Sequence, residues 1–142
     1  MILYLDTSAV VKLYTSEPGS AETRRAVERA DQIASSLLAY AETRAALARK
    51  YRLRQIGAAG FDRAKADFES DWKGFIKMPG DPETVRRAGN LVEQFRLRAY
   101  DAIHLATAER LYSDTRSQIG FACFDAALNR AASTLGLSLL AP

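Results

Sequence analysis

Short apolar runs alternate along this chain with stretches in which apolar residues return every three or four positions. That is the pattern of strands joined by helices in a layered α/β domain. The first run, Ile2-Leu3-Tyr4-Leu5, is apolar on both faces and stops at Asp6, which predicts a central parallel strand. Ser8 to about Tyr14 reads as the following helix, closed by the Glu17-Pro18-Gly19 turn. Ser20 is a candidate N-cap for a helix to about Ala30, and Gln32 to Ser35 fits a second strand. A long helix is expected from about Leu37 to Leu53, with Leu37, Tyr40, Leu47 and Tyr51 on one face. Gly57 interrupts it, and a further helix from about Ala58 to Trp72 presents Phe61, Phe68 and Trp72, with Phe75 beyond. These two helices predict a hairpin protruding from the sheet, its aromatic stripe packed within the domain or a dimer.

The second half repeats the alternation. Phe75 to Met78 is a short strand candidate ended by Pro79-Gly80. Asp81-Pro82-Glu83 starts a helix in the usual way: an acid at the cap, proline at the first helical position and a second acid in the first turn. That helix is expected to reach about Phe95, and the next to span about Ala99 to Tyr112. Ile119 to Phe124 reads as a strand ending at Asp125, then a helix to about Leu135, Gly136 as its C-terminal cap, and a last strand over Leu137 to Leu140.

With 142 residues the chain is expected to form one domain spanning 1–142. Surface scaling has such a domain bury about two thirds of its extended-chain surface, enough for a core without covalent staples. The single cysteine, Cys123, excludes a disulfide framework, and with the single histidine, His104, it excludes the usual Cys/His zinc cages within one chain. No uncharged run approaches a membrane span, so the expected setting is the cytoplasm with no membrane partner. The net charge is +3, a mild basicity, but fifteen of the twenty cations are arginine, the type suited to forked phosphate contacts. Arg44, Arg49, Lys50, Arg52 and Arg54 follow one another with no acid among them. Arg49, Lys50, Arg52 and Arg54 are therefore candidates for holding a nucleic-acid backbone, although cations at a helix end also complement its dipole.

Four acids stand out. Asp6 and Asp125 each follow a predicted strand directly, and in an open parallel sheet ligands bind at the carboxyl ends of strands. Each alone also reads as a helix N-cap. Glu42 has Leu38, Ala39, Ala45 and Ala46 as its helical neighbours, so no local ion pair explains it. Asp101 opens a helix whose next residues are Ala102, Ile103, His104 and Leu105, where it also suits the helix dipole. Gathered in one place, four carboxylates repel one another and resist burial unless a hard divalent cation neutralises them. Mg²⁺ or Mn²⁺ suits such an oxygen-only set, and could activate water for attack on a phosphodiester.

The residues around these acids resemble a known family. Leu5-Asp6-Thr7-Ser8-Ala9 is similar to the opening motif of PIN-domain nucleases, and Tyr40-Ala41-Glu42 to their second acidic position. The run from Arg98 through Tyr100-Asp101-Ala102-Ile103-His104-Leu105-Ala106 to Ala108 resembles the third and is the most specific match. Phe124-Asp125-Ala126-Ala127-Leu128, followed by Ala131-Ala132 and Gly136-Leu137, resembles the fourth. The matches fall in family order over nearly the whole chain, and the compact length looks most like the VapC-type toxin of VapBC toxin–antitoxin pairs. The resemblance implies a PIN-like three-layer α/β fold: a central parallel sheet of about five strands flanked by helices. It implies a Mg²⁺- or Mn²⁺-dependent endoribonuclease with Asp6, Glu42, Asp101 and Asp125 as metal-site acids, and Thr7 or Ser8 as a supporting hydroxyl. It further implies an RNA substrate, a cognate VapB-type antitoxin, a homodimer, and contact with DNA only through the antitoxin. One departure is Cys123, standing where a small hydroxyl residue often lies two places before the fourth acid; support of Asp125 is in question there. Asn129, one turn beyond Asp125, reads as helix-surface packing.

Rival chemistries lack their parts. His104 shares a helix with Asp101 and reads as structural, and no Gly-x-Ser-x-Gly elbow, P-loop or Gly-x-Gly-x-x-Gly turn occurs. A phosphatase-like aspartyl nucleophile would want an acid where Ser8 stands. The remaining alternatives are a PIN-like scaffold that binds RNA or protein without cutting, and a free-standing RNA-processing nuclease.

Overall fold

The computed structural model describes residues 1–140. Among them five strands, β1 (Ile2–Leu5), β2 (Gln32–Ser36), β3 (Ile76–Met78), β4 (Ile119–Ala122) and β5 (Ser138–Leu139), form one sheet in the order β3-β2-β1-β4-β5. Every neighbouring pair is parallel. Among the described residues seven helices flank it: α1 (Thr7–Tyr14), α2 (Ser20–Arg29), α3 (Ala39–Arg52), α4 (Ala58–Trp72), α5 (Pro82–Phe95), α6 (Ala99–Thr115) and α7 (Ala126–Thr134). The central strand β1 is buried at all four positions, as its unbroken apolar run requires. Among the described residues no helix is long and apolar enough to cross a membrane.

The two faces of the sheet are covered by different chemistry. On one, Tyr4, Phe121, Leu91, Leu105, Leu111 and Leu128 pack with the small residues of α5, α6 and α7. On the other, Leu3, Leu5, Val10, Phe68 and Trp72 form the second cluster. The aromatic stripe of α4 is packed within the domain: Phe68 lies 5.5 Å from Trp72 and 5.7 Å from Tyr40, ring centre to ring centre. The base of the α3–α4 hairpin is therefore part of the core. Its tip is open, with Tyr51 stacked on Phe61 at 4.9 Å.

Local rules explain the helix ends. Asp6, Asp81 and Asp125 accept hydrogen bonds from the backbone N–H groups of Ala9, Thr84 and Leu128, capping α1, α5 and α7. Two expectations are corrected. Ser20 does not cap α2: Gly19 does, at φ +94°, and the Ser20 hydroxyl instead donates to the Thr15 carbonyl and accepts from the Glu17 N–H. The buried face of α3 is Ala39, Thr43 and Leu47, whereas Leu37 and Tyr51 are 51% and 44% exposed. Small residues on that face let α3 lie close against its neighbours; of the large ones expected there, Leu47 is buried and Tyr40 packs on Phe68, while Leu37 and Tyr51 are turned outward.

Candidate active site

Parallel strands all point the same way, so the loops that leave them gather at one edge of the sheet. There, a cavity of about 230 Å³ is lined by Asp6, Thr7, Ser8, Glu42, Arg98, Tyr100, Asp101, His104, Phe124 and Asp125. Asp6 arrives directly from β1, its N–H still donating to the Ala122 carbonyl of β4. Glu42 stands in the first turn of α3, Asp101 in the first turn of α6, and Asp125 at the cap of α7. All four acids singled out in the sequence thus face one cavity, together with Thr7 and Ser8.

Asp6 is the most constrained. Its side chain is buried, and Oδ1 accepts from the Ser8 hydroxyl at 2.7 Å and the Ala9 N–H at 2.9 Å. Among the described residues no hydrogen bond reaches Oδ2. Burial raises its pKa above the ordinary carboxyl value despite those two bonds and the nearby His104, and the charge of Asp101 adds to the rise.

Glu42 has the partner its own helix lacks. Thr7 Oγ1 donates to Oε1 at 2.9 Å, and His104 Nε2 lies 3.2 Å from the same oxygen. The second imidazole nitrogen, Nδ1, is 2.8 Å from the Tyr4 hydroxyl. A carboxylate beside Nε2 requires the proton there, so in the neutral ring Nδ1 accepts from the buried Tyr4 phenol. Burial would raise the Glu42 carboxyl, but the bonds from His104 and Thr7 win and hold it below its ordinary range. His104, expected to be structural, is buried yet also lines the cavity and orients Glu42; a lone histidine in an apolar helix gave no sign of that contact.

The outer side is looser. Arg98 Nε donates to Asp101 Oδ2 at 2.8 Å, and its Nη2 lies 3.9 Å from Asp125 Oδ2. Asp125 Oδ1 accepts from the Leu128 N–H at 2.8 Å. The Asp125 carboxylate is thus held by the backbone of α7 and not by the side chain at position 123. Cys123 Sγ turns instead to Asn129 Oδ1 at 3.2 Å and to the Asp125 carbonyl, and burial pushes its thiol up to about 12. Asn129 also donates to the Cys123 carbonyl at 3.2 Å, so it braces the loop under Asp125 and is more than surface packing. Phe124 is set by the α1–α2 turn: a Cβ on Gly19 would fall 2.4 Å from its ring, and Lys12 Nζ sits 4.6 Å from the ring centre.

None of Arg49, Lys50, Arg52 and Arg54 lines the cavity. Lys50 is committed to Glu17 Oε2 at 2.8 Å, and Glu17 is shared with Lys12 at 3.1 Å. Arg49, Arg52 and Arg54 remain exposed at the end of α3. Arg98, Tyr100 and Phe124 were visible in the sequence only as neighbours of the acids, with no feature marking them as cavity walls.

The donor set matches a hard divalent cation: oxygen ligands only, one carboxylate already fixed with an unpartnered oxygen, and acids from three other segments on the same cavity. Among the described residues, however, no three acidic, histidine or cysteine side chains form a ready-made cage. Glu42 is turned to His104 and Asp101 to Arg98. Ligation would draw Asp101 off Arg98, while Glu42 keeps Oε1 on Thr7 and His104 and offers Oε2.

An all-parallel five-stranded sheet bearing acids at one edge is the architecture of a recognised family. This chain belongs to the PIN domain family, which matches residues 3–133. It is similar to Ribonuclease VapC46 of Mycobacterium tuberculosis (strain ATCC 25618 / H37Rv), 39% identical over 142 residues that cover 99% of this chain and 97% of that protein. Among solved structures it resembles the M. tuberculosis toxin VapC20, described as cleaving the sarcin–ricin loop. The TM-score is 0.66 at 16% identity over 91% of this chain and 94% of that one. A toxin–antitoxin complex from Klebsiella pneumoniae contains a chain that matches with a TM-score of 0.60 at 22% identity, covering 83% of each. At such identities the structural likeness speaks to the fold.

Proposed function

We propose that this chain is the ribonuclease toxin of a toxin–antitoxin pair, a metal-dependent endoribonuclease that cuts RNA phosphodiester bonds at the cavity formed by Asp6, Glu42, Asp101 and Asp125. The observation that carries the reading is the convergence of acids from four separate segments on one cavity at the carboxyl edge of the sheet. The ribonuclease name of the relative at 39% identity supports the activity. The toxin–antitoxin complex among the structural neighbours supports a VapB-type antitoxin as partner. A homodimer and a one-domain chain over 1–142 complete the proposal.

Asp6, Glu42, Asp101 and Asp125 would hold Mg²⁺ or Mn²⁺. Bound there, the cation would acidify a water and offset the charge that develops on the phosphate. Asp6 supplies the fixed carboxylate. Thr7 holds Glu42 in place, and Ser8 keeps Asp6 Oδ1 engaged so that Oδ2 is left for the ligand. Tyr4 and His104 prevent Glu42 from swinging into solvent.

Purified protein freed of antitoxin, given Mg²⁺ or Mn²⁺ and a broad panel of structured RNAs, is expected to cut at least one of them. EDTA is expected to stop the cutting. A panel left wholly intact would favour the non-catalytic reading, which draws support from the engagement of Glu42 and Asp101 by protein partners.

A further inference from the structure

An acid-lined cavity that takes RNA must bring an anionic backbone to a wall of carboxylates. Among the described residues Arg98 is the only lysine or arginine that lines it. Its side chain is 79% exposed and stands one turn before Asp101, bound through Nε alone at 2.8 Å. The Nη groups carry no hydrogen bond among the described residues, and Nη2 hangs 3.9 Å from Asp125. Such a guanidinium has most of its forked donor set unspent, and a fork is the geometry that suits two phosphate oxygens. Its hold on Asp101 is an exposed ion pair, a weak one. The arginine-rich end of α3 offers no comparable group at the cavity.

We infer that Arg98 is the phosphate-positioning residue of this site: a guanidinium parked on Asp101 that turns to an RNA phosphate once that carboxylate is given over to a divalent cation. The inference rests on the ribonuclease reading. It assigns Arg98 two opposed effects. As the resident counter-charge of Asp101 and Asp125 it competes with a divalent cation. As a released fork it holds the substrate backbone. A purely structural arginine would do neither, and removal of an exposed side chain leaves the fold intact.

Two measurements on Arg98→Ala test it. Calorimetric titration with Mn²⁺ in the absence of RNA is expected to show about fivefold tighter binding, the effect of deleting one nearby positive charge in screened solvent. Binding of a short mixed-sequence single-stranded RNA, with Ca²⁺ replacing Mn²⁺ as a hard cation that takes the same oxygen ligands but acidifies water weakly, is expected to weaken about tenfold. Its logarithmic salt slope should be shallower by about 0.7, the loss of one phosphate contact. Arg98→Lys should return the Mn²⁺ affinity to that of the parent and recover only part of the RNA affinity, since an ammonium lacks the fork. Unchanged Mn²⁺ affinity in Arg98→Ala overturns the counter-charge role; an unchanged RNA affinity and salt slope overturn the phosphate contact. If the parent cuts RNA while the variants bind as it does, only this inference fails. If the parent neither binds nor cuts any RNA, the ribonuclease reading fails with it.

Discussion

The cavity has two unlike walls. The inner wall, Thr7, Glu42 and His104 with Tyr4 behind them, is joined by hydrogen bonds of 2.8 to 3.2 Å that run from the central strand to α3 and α6, and buried Asp6 beside it is held by Ser8 and Ala9. The outer wall, Arg98, Tyr100, Asp101, Phe124 and Asp125, is open: Tyr100 is 62% exposed and Phe124 40%. It is held by one surface arginine and by helix caps. Polar groups buried together must be satisfied within the fold, so packing sets their positions in advance. Groups facing water can exchange partners at small cost. The inner wall is thus built to stay, and the outer wall to rearrange around a ligand.

Breaking the inner wall has the largest expected effect. Asp6→Asn should lower RNA cleavage by more than about 100-fold, since even supporting groups around metal ligands commonly cost 10–100-fold. The same change should raise the melting temperature by about a few degrees at pH 7, because the amide can still accept the Ala9 bond without a desolvated charge. A carboxyl whose folded pKa is raised destabilises the fold as pH climbs from the ordinary carboxyl range through that raised value. The melting gain should therefore fade below the ordinary carboxyl range, and scanning calorimetry against pH checks it.

On the outer wall, Asp125 separates ligation from capping. Asp125→Ala should lose both activity and about 1 kcal/mol of stability with the α7 cap, whereas Asp125→Asn should lose activity and keep the cap. Urea unfolding of the pair reads the difference. The finest comparison uses one substitution on both walls. Tyr4→Phe removes the donor to His104 Nδ1 and should cost about 1–2 kcal/mol, while Tyr100→Phe should stay within about 0.5 kcal/mol. Equal costs in urea titration would erase the distinction between the walls.

Much of this was legible in the chain itself. The apolar run Ile2–Leu5, the Asp81-Pro82 start and the Gly136 stop mark elements that lie where local rules put them. The four acids were legible from their places at strand ends and helix starts; only Glu42 reads as lacking a local partner, since Arg98 stands three residues before Asp101. What local pattern could not carry was pairing across the chain. Glu42 reads as unexplained until α6 brings His104 beside it, and Lys50 reads as free until the α1–α2 turn brings Glu17. The expected buried face of α3 was half right, with Leu47 and Tyr40 inward, and missed its small residues because large apolar ones were weighted over them. In a helix lying close to its neighbours, Ala39 and Thr43 go inward and Tyr51 goes out.

The strand order has a consequence for when the protein becomes dangerous. β1 occupies the middle of the sheet, yet Ile2 finds its second neighbour only at Ile119, and Asp6 is tied to Ala122. Contacts of such wide separation form late in folding. As the chain emerges from a ribosome, the pocket has no floor until β4 and Asp125 have been made, so the four acids cannot meet on a nascent chain that stops short of them.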